Sequence, residues 1–300
     1  MVTRRSGAIN VRAHLAMLSY ALLIAGSFSV GALAAPHVPP AVLTAMRFVG
    51  GTLLVGSFCL LTGSSLKIPR APWRFLVLGA LMGTYFVLMF VALRITDPVS
   101  TGAVFTLIPL LAALFGYILL GQRASNRVLA GLLIAAIGAL WVIFKADLAR
   151  AMAFRVGTGE VIFFLGCICQ AIYAPLVRLF NRGESVLNFT FWTLVGCSVC
   201  VSLFAISEVG DLSFTSFDWI VWLSLGYLTV GATAVSLLLL QYGSMHLPAA
   251  KVFPYGYLIP SFIICIEAAL GHGWTSGPVA VGAIISTFGL FLLLTTSDEK

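Results

Sequence analysis

The sequence predicts an all-α integral membrane protein, built as ten transmembrane helices in two inverted five-helix repeats. Three observations predict it. Apolar residues make up 60% of the 300-residue chain and charged residues only 9%, whereas a soluble domain carries about 25% charge. With a mean hydropathy of +1.07, the chain cannot cover a water-facing surface. The apolar residues fall in runs of about 20, the length that crosses the hydrocarbon as a helix. Two stretches also match each other when the chain is shifted by 151 residues. This composition excludes disorder, a collagen or coiled-coil rod, and a nucleic-acid-binding domain.

The runs cover about 13–35, 40–62, 74–94, 98–119, 128–145, 159–179, 186–206, 218–243, 249–270 and 277–296. They do not alternate as the strands of a membrane barrel would. The first follows Arg4, Arg5 and Arg12 and holds Ala32-Leu33-Ala34, which looks like a signal-peptide cleavage site. It is longer than a signal core, and its loss would break the repeat, so it is read as a span. The second opens at Pro40 and carries Arg47, the only cation well inside a run. The third contains Gly79 and Gly83, a GxxxG face for close helix packing, then Tyr85.

The fourth carries Ser100, Thr101, Phe105 and Pro109, and the fifth Gly131 and Gly138. In the sixth, Gln170 and Tyr173 share a face, and the Gln170 amide needs an interior partner. Cys197 and Cys200 in the seventh have CxxC spacing without a second pair or a histidine, so they read as packing residues. Thr229, Thr233 and Ser236 form a polar stripe in the eighth that cannot usefully face lipid. The ninth holds Lys251, Pro254, Tyr255, Tyr257, Pro260 and Glu267. Its prolines free backbone carbonyls that protein, water or substrate must satisfy. Connections are short and rich in Gly, Pro, Asn or charge, so no soluble domain fits between runs.

Charge counting sets orientation. With a cytoplasmic N-terminus the inside segments hold 12 Lys or Arg, the outside segments 4, and Arg47 the remaining one of 17. Both termini are therefore expected in the cytoplasm. The formal charge of +7 reports these loops, since no basic stretch exceeds two residues.

In the repeat, Leu107-Ile108-Pro109 falls on Leu258-Ile259-Pro260, Gly131 on Gly282, and Gly138 on Gly289. Runs four and five therefore match runs nine and ten, dividing the chain into repeats 1–150 and 151–300. Five spans is an odd number, so the second copy enters the membrane in the opposite sense. Such an inverted repeat fits alternating access, with substrate held between the halves near the midplane.

At this point the sequence resembles the drug/metabolite transporter superfamily, in its ten-helix EamA-like branch. The residues that carry the likeness are Pro40 with Arg47, and Ala92-Leu93 through Pro109 to Gly121, Gly131 and Gly138. The second half adds Pro260, Ala269-Leu270-Gly271, Gly282 and Gly289. The family often has Gly-Glu after the fourth and ninth helices, where this chain has Gly121-Gln122 and Gly271-His272. Any role of that glutamate does not carry over. Within the superfamily the chain is similar to bacterial exporters of aromatic amino acids, which implies a multi-pass protein of the bacterial inner membrane.

The expected function is export of neutral, aromatic or other apolar, amino acids through a central apolar cavity, without obligatory ion coupling. The alternative is a proton-coupled exporter of drugs or other small metabolites. The candidate substrate contacts are Lys251, Tyr255, Tyr257, Gln170, Tyr173, Thr233, Ser236, Tyr85, Phe105 and Ser100. Lys251 would meet a substrate carboxylate, or else snorkel to the interface. Pro254, Pro260, Pro109, Arg47 and Glu267 are candidates for gating or structure. The four histidines are scattered and form no ligand set, so no enzyme activity, cofactor or metal is expected. The expected partners are an amino acid and membrane lipids, with no nucleic acid, and the chain is expected to be a monomer.

Overall fold

The computed structural model describes residues 2–64, 66–122, 125–152, 156–210, 212–213, 217–246 and 253–295. Among them every regular element is helical. The first three spans are α1 (Val2–Ala34), α2 (Pro40–Leu61) and α3 (Trp73–Leu93). The fourth breaks at Thr106 and Leu107 into α4 (Pro98–Phe105) and α5 (Ile108–Leu120). The fifth is α6 (Asn126–Ile143), followed by the short α7 (Leu148–Met152). Next come α8 (Thr158–Phe180) and α9 (Val186–Val209). The eighth span is α10 (Trp219–Thr229), a π-helical segment (Val230–Val235) and α11 (Ser236–His246). The ninth is a 3-10 turn (Phe253–Leu258) leading into α12 (Ile259–Ala269), and the tenth is α13 (Gly277–Thr295).

Among the described residues, seven of these spans are long and apolar enough to cross a membrane. Three shorter apolar helices, Val128–Ile143, Pro254–Ala269 and Gly277–Gly289, bring the number to ten. Local chemistry sets their boundaries. Asp97 caps α4 by accepting from the Ser100 amide at 2.8 Å, while Ser185 accepts from the Asn188 amide at 3.3 Å at the start of α9. Pro40, Pro98, Pro109 and Pro260 each stand in the first two positions of a helix, where a missing N–H leaves no bond unmade. Pro109 and Pro260 therefore start helices: one begins at Ile108 after a turn and the other at Ile259 after the 3-10 segment, positions 151 residues apart.

Packing follows the same shift. α1 packs on the eighth and ninth spans, and α8 packs on the third and fourth. α2 lies against α9, and α6 against α13. In that last pair a Cβ on Gly138 would strike the Gly282 carbonyl, and one on Gly289 would meet the Gly131 carbonyl at 3.0 Å. Since 131 pairs with 282 and 138 with 289, the two contacts exchange under the shift. Ser286 adds a hydrogen bond to the Ala135 carbonyl at 3.1 Å. In the third span, a Cβ on Gly79 would fall onto the backbone of Gly196 and Cys197, so the GxxxG face is a close-packing face. All six cysteines are free.

Large apolar side chains cover the outside, among them Leu61, Ile137 and Phe204, as lipid requires. Trp73, Trp219 and Trp274 are exposed at the ends of spans, the interface position expected of them. Arg74 stands at one end of the bundle and Asp97 at the other, at opposite ends of α3.

Candidate functional site

The middle of the bundle holds a chain of aromatic rings. Phe105 on α4 meets Phe28 on α1 edge-on with centroids 5.8 Å apart, and Phe28 meets Phe163 on α8 at 5.9 Å. Phe163 meets Tyr85 on α3 at 5.5 Å, and Tyr85 meets Phe86 at 4.7 Å. Phe86 then meets Phe48 on α2 at 5.5 Å. Tilted and edge-on pairs put a positive ring edge on a negative face, each contributing about 1 kcal/mol beyond burial. Phe48 turns inward while Val49 beside it is exposed, as helical spacing allows.

One charge touches this ladder. Arg47 is 1% exposed, and its guanidinium carbon lies 4.0 Å from the Phe86 centroid. Arg47 Nε donates to Thr233 Oγ1 at 2.7 Å, and Nη2 donates to the Ala232 carbonyl at 2.9 Å. Both acceptors lie on the π segment. A π turn bonds from i to i+5 and leaves backbone carbonyls off the α-helical ladder, which is where a guanidinium can collect them. Thr233 Oγ1 donates in turn to the Leu228 carbonyl five residues back, at 2.8 Å. Nη1 is buried with no hydrogen-bond partner. Gly50 and Gly51 let the helices close up here, since a Cβ on either would meet Thr229 or Thr233 within 3 Å.

The structure thus brings Arg47, Thr233, Tyr85 and Phe105 into one connected set. Ser236 is buried beside it and donates to the Ala232 carbonyl at 2.9 Å. Gln170 is half-buried, with Oε1 unpartnered. The other candidates lie elsewhere. Tyr173 packs with Phe75, Leu78 and Phe189. Tyr257 is fully buried against Leu132 and Ala135, with its hydroxyl unpartnered. Tyr255 Oη shares a 2.6 Å hydrogen bond with His14 Nδ1 on α1, and Pro254 is buried in the same 3-10 turn. Lys251 lies outside the described residues. Phe28, Phe48 and Phe163 were not expected at the site, nor was the His14 partner of Tyr255. Nothing in the sequence separates these three phenylalanines from the other 19.

At the Asp97 end a cavity of about 350 Å³ is lined by Asp97, Ser100, Lys145, Glu267, His272 and Trp274, among others. Ser100 Oγ donates to Asp97 Oδ2 at 3.0 Å, so Ser100 serves the cap of α4. Lys145 pairs with Asp97 at 3.4 Å, and His272 with Glu267 at 2.7 Å. A second cavity shares Lys145 and is walled by Thr96 and Glu160. Two acids, a lysine and a histidine make this mouth polar, while the ladder beneath is apolar.

At the Arg74 end every nitrogen of the guanidinium has a partner. Nε donates to the Ala71 carbonyl at 3.1 Å, Nη1 to the Phe180 carbonyl, and Nη2 to Glu184 Oε1 at 2.7 Å. Burial alone would raise the Glu184 carboxyl. The bonds from Arg74 and from the backbone amides of Arg182 and Glu184 outweigh it and hold the group below its usual value.

The comparisons with known proteins agree with this architecture. The EamA-like transporter family matches residues 11–144 and 157–295. An uncharacterized transporter, YyaM of Bacillus subtilis, is 23% identical over 281 residues, covering 92% of this chain and 92% of its own. The aromatic amino acid exporter YddG of Ancylobacter novellus is 26% identical over 284 residues, covering 91% and 92%. A crystal structure with 23% sequence identity superposes with a TM-score of 0.67 over 95% of this chain and 96% of that one, which shows a shared fold.

Proposed function

The chain belongs to the EamA-like transporter family, and we propose that it exports neutral aromatic or other apolar amino acids. The ring ladder from Phe105 to Phe48, touched by the single charge of Arg47, carries this reading. Rings and one cation offer an apolar, planar side chain its contact area and a carboxylate its counter-charge. A relative named an aromatic amino acid exporter supports the same substrate class.

Transport proceeds by alternating access between inverted halves, 1–150 and 151–300. The exchange of contacts at Gly131, Gly138, Gly282 and Gly289 supports that symmetry. Movement runs down the substrate's gradient without an obligatory ion, since the ladder carries no carboxylate among the described residues. The protein acts as a monomer in the bacterial cytoplasmic membrane, with the Arg74 end and both termini in the cytoplasm. Gln170, Tyr173, Ser236, Tyr255, Tyr257 and Lys251 are the further substrate contacts of this reading. Pro109 and Pro260 start the helices that move.

The test is exchange in liposomes. Purified protein should take up labelled phenylalanine against internal unlabelled phenylalanine, with no pH gradient. If no neutral amino acid exchanges, the reading fails. The titratable mouth, with Glu267 against His272, favours a second reading, a proton-coupled exporter of drugs or metabolites. Uptake that appears only when a pH gradient is imposed would select it.

A further inference from the structure

Among the described residues, Arg47 is a buried cation without an anion. Neither Thr233 nor the Ala232 carbonyl is charged, and the ionisable groups that act on it, Tyr85, Cys197 and Tyr227, are of types neutral near pH 7. Among the described residues Arg74 pairs with Glu184 and Lys145 with Asp97, and the Glu267 carboxyl is taken by His272. A buried, uncompensated charge is strongly unfavourable, and dipoles and a ring face offset only part of it.

The geometry of the guanidinium shows where an anion fits. Its side-on edge, Nε with Nη2, is taken by Thr233 and Ala232. The end-on edge keeps both hydrogens of Nη1 and one of Nη2, arranged as a fork. Nη1 is buried among protein atoms and makes no hydrogen bond. A planar fork in a dry site matches a planar carboxylate with two parallel bonds. The Phe86 ring lies against the same guanidinium at 4.0 Å and continues into Tyr85 and Phe163. A carboxylate at the fork therefore leaves the rest of a small amino acid beside the ladder.

Resting on the amino-acid reading above, we propose that Arg47 is the docking point for the substrate's α-carboxylate, taken at the free Nη1–Nη2 edge. The substrate then completes a junction that already joins α2 to the π segment. A carboxylate lost from the ligand, or the fork lost from the protein, should have the same consequence.

The experiment uses the purified full chain in detergent and compares phenylalanine with phenylalaninamide, which lacks the carboxylate. Each ligand is scored by the concentration that raises the melting temperature by a fixed amount. Wild type should prefer phenylalanine by at least about tenfold, the worth of one charge-assisted hydrogen bond. In Arg47→Gln the preference should fall below about twofold, with phenylalanine brought down to the level of the amide. A retained tenfold preference, or an equal loss of both ligands, overturns the proposal. If Arg47→Gln does not fold, Arg47→Lys decides: it keeps the charge without the fork, so the preference must fall but persist, and an undiminished one overturns the assignment. Wild type that neither binds nor exchanges any amino acid overturns the amino-acid reading itself, whereas wild-type exchange with an unchanged preference in the variants removes Arg47 alone.

Discussion

Arg74 and Arg47 are both 1% exposed, yet they stand in opposite company. Arg74 has two carbonyls and a carboxylate, one for each nitrogen. Arg47 has a hydroxyl, one carbonyl and a ring, and its third nitrogen has nothing. A satisfied guanidinium ties α3 to the turn between α8 and α9 and asks for no ligand. A half-satisfied one is kept at a cost in stability, which selection accepts where function needs it. Burial by itself therefore does not rank these arginines. The count of unmade bonds does.

The contrast can be broken by substitution. Arg74→Met should have the largest effect, about 3 kcal/mol of lost stability, because it strands Glu184 and the Phe180 carbonyl together. Thermal unfolding in detergent would show it, and a melting temperature equal to wild type would mean that Arg74 is not structural. Thr233→Val keeps the side-chain shape and leaves Arg47 Nε without its acceptor. It should cost about 1.5 kcal/mol in the same measurement.

Glu184→Gln should cost about 1 kcal/mol near neutral pH by weakening the bond from Arg74. It also sharpens the comparison through pH. The folded carboxyl lies below its ordinary value. Its contribution is therefore complete above the ordinary carboxylate range and is lost as pH falls through the lowered value. Down an acid series the melting temperature should fall in wild type and fall less in the variant. Arg47→Met should change stability least, by under about 1 kcal/mol, since an apolar side chain of similar length relieves a buried unpaired donor as it removes two bonds. Exchange activity should nevertheless fall by at least about tenfold. In combination with Thr233→Val, the cost of losing the hydroxyl should largely vanish, as a double-mutant cycle would record.

Much of this was legible in the sequence and some was not, for physical reasons. The spans could be read because lipid demands apolar residues at every exposed position. The breaks before Pro109 and Pro260 were not placed, because an apolar run reads as continuous even where a proline starts a new helix within it. Arg47 stood out as a lone cation in a run, but its partners did not. Thr233 lies 186 residues away, on a turn whose departure from the α-helix leaves no mark in composition. The ladder was hidden for another reason: a phenylalanine facing lipid and one facing Tyr85 present the same letter. The pairing of Tyr255 with His14 depends on the register between α1 and the 3-10 turn, which hydropathy does not encode.

The π segment also leaves a trace in the comparison of the halves. Leu78-Gly79-Ala80-Leu81 aligns with Leu225-Gly226-Tyr227-Leu228 at a constant offset of 147. Two residues later comes Gly83, whereas Gly231 comes three residues after Leu228, so the spacing is one residue longer in the second stretch. The wide turn begins at Val230, inside that interval. A helix takes up an extra residue most simply by opening one turn to i→i+5 and leaving its two ends in place. The acceptors of Arg47 thus stand where one stretch carries a single residue that the other lacks.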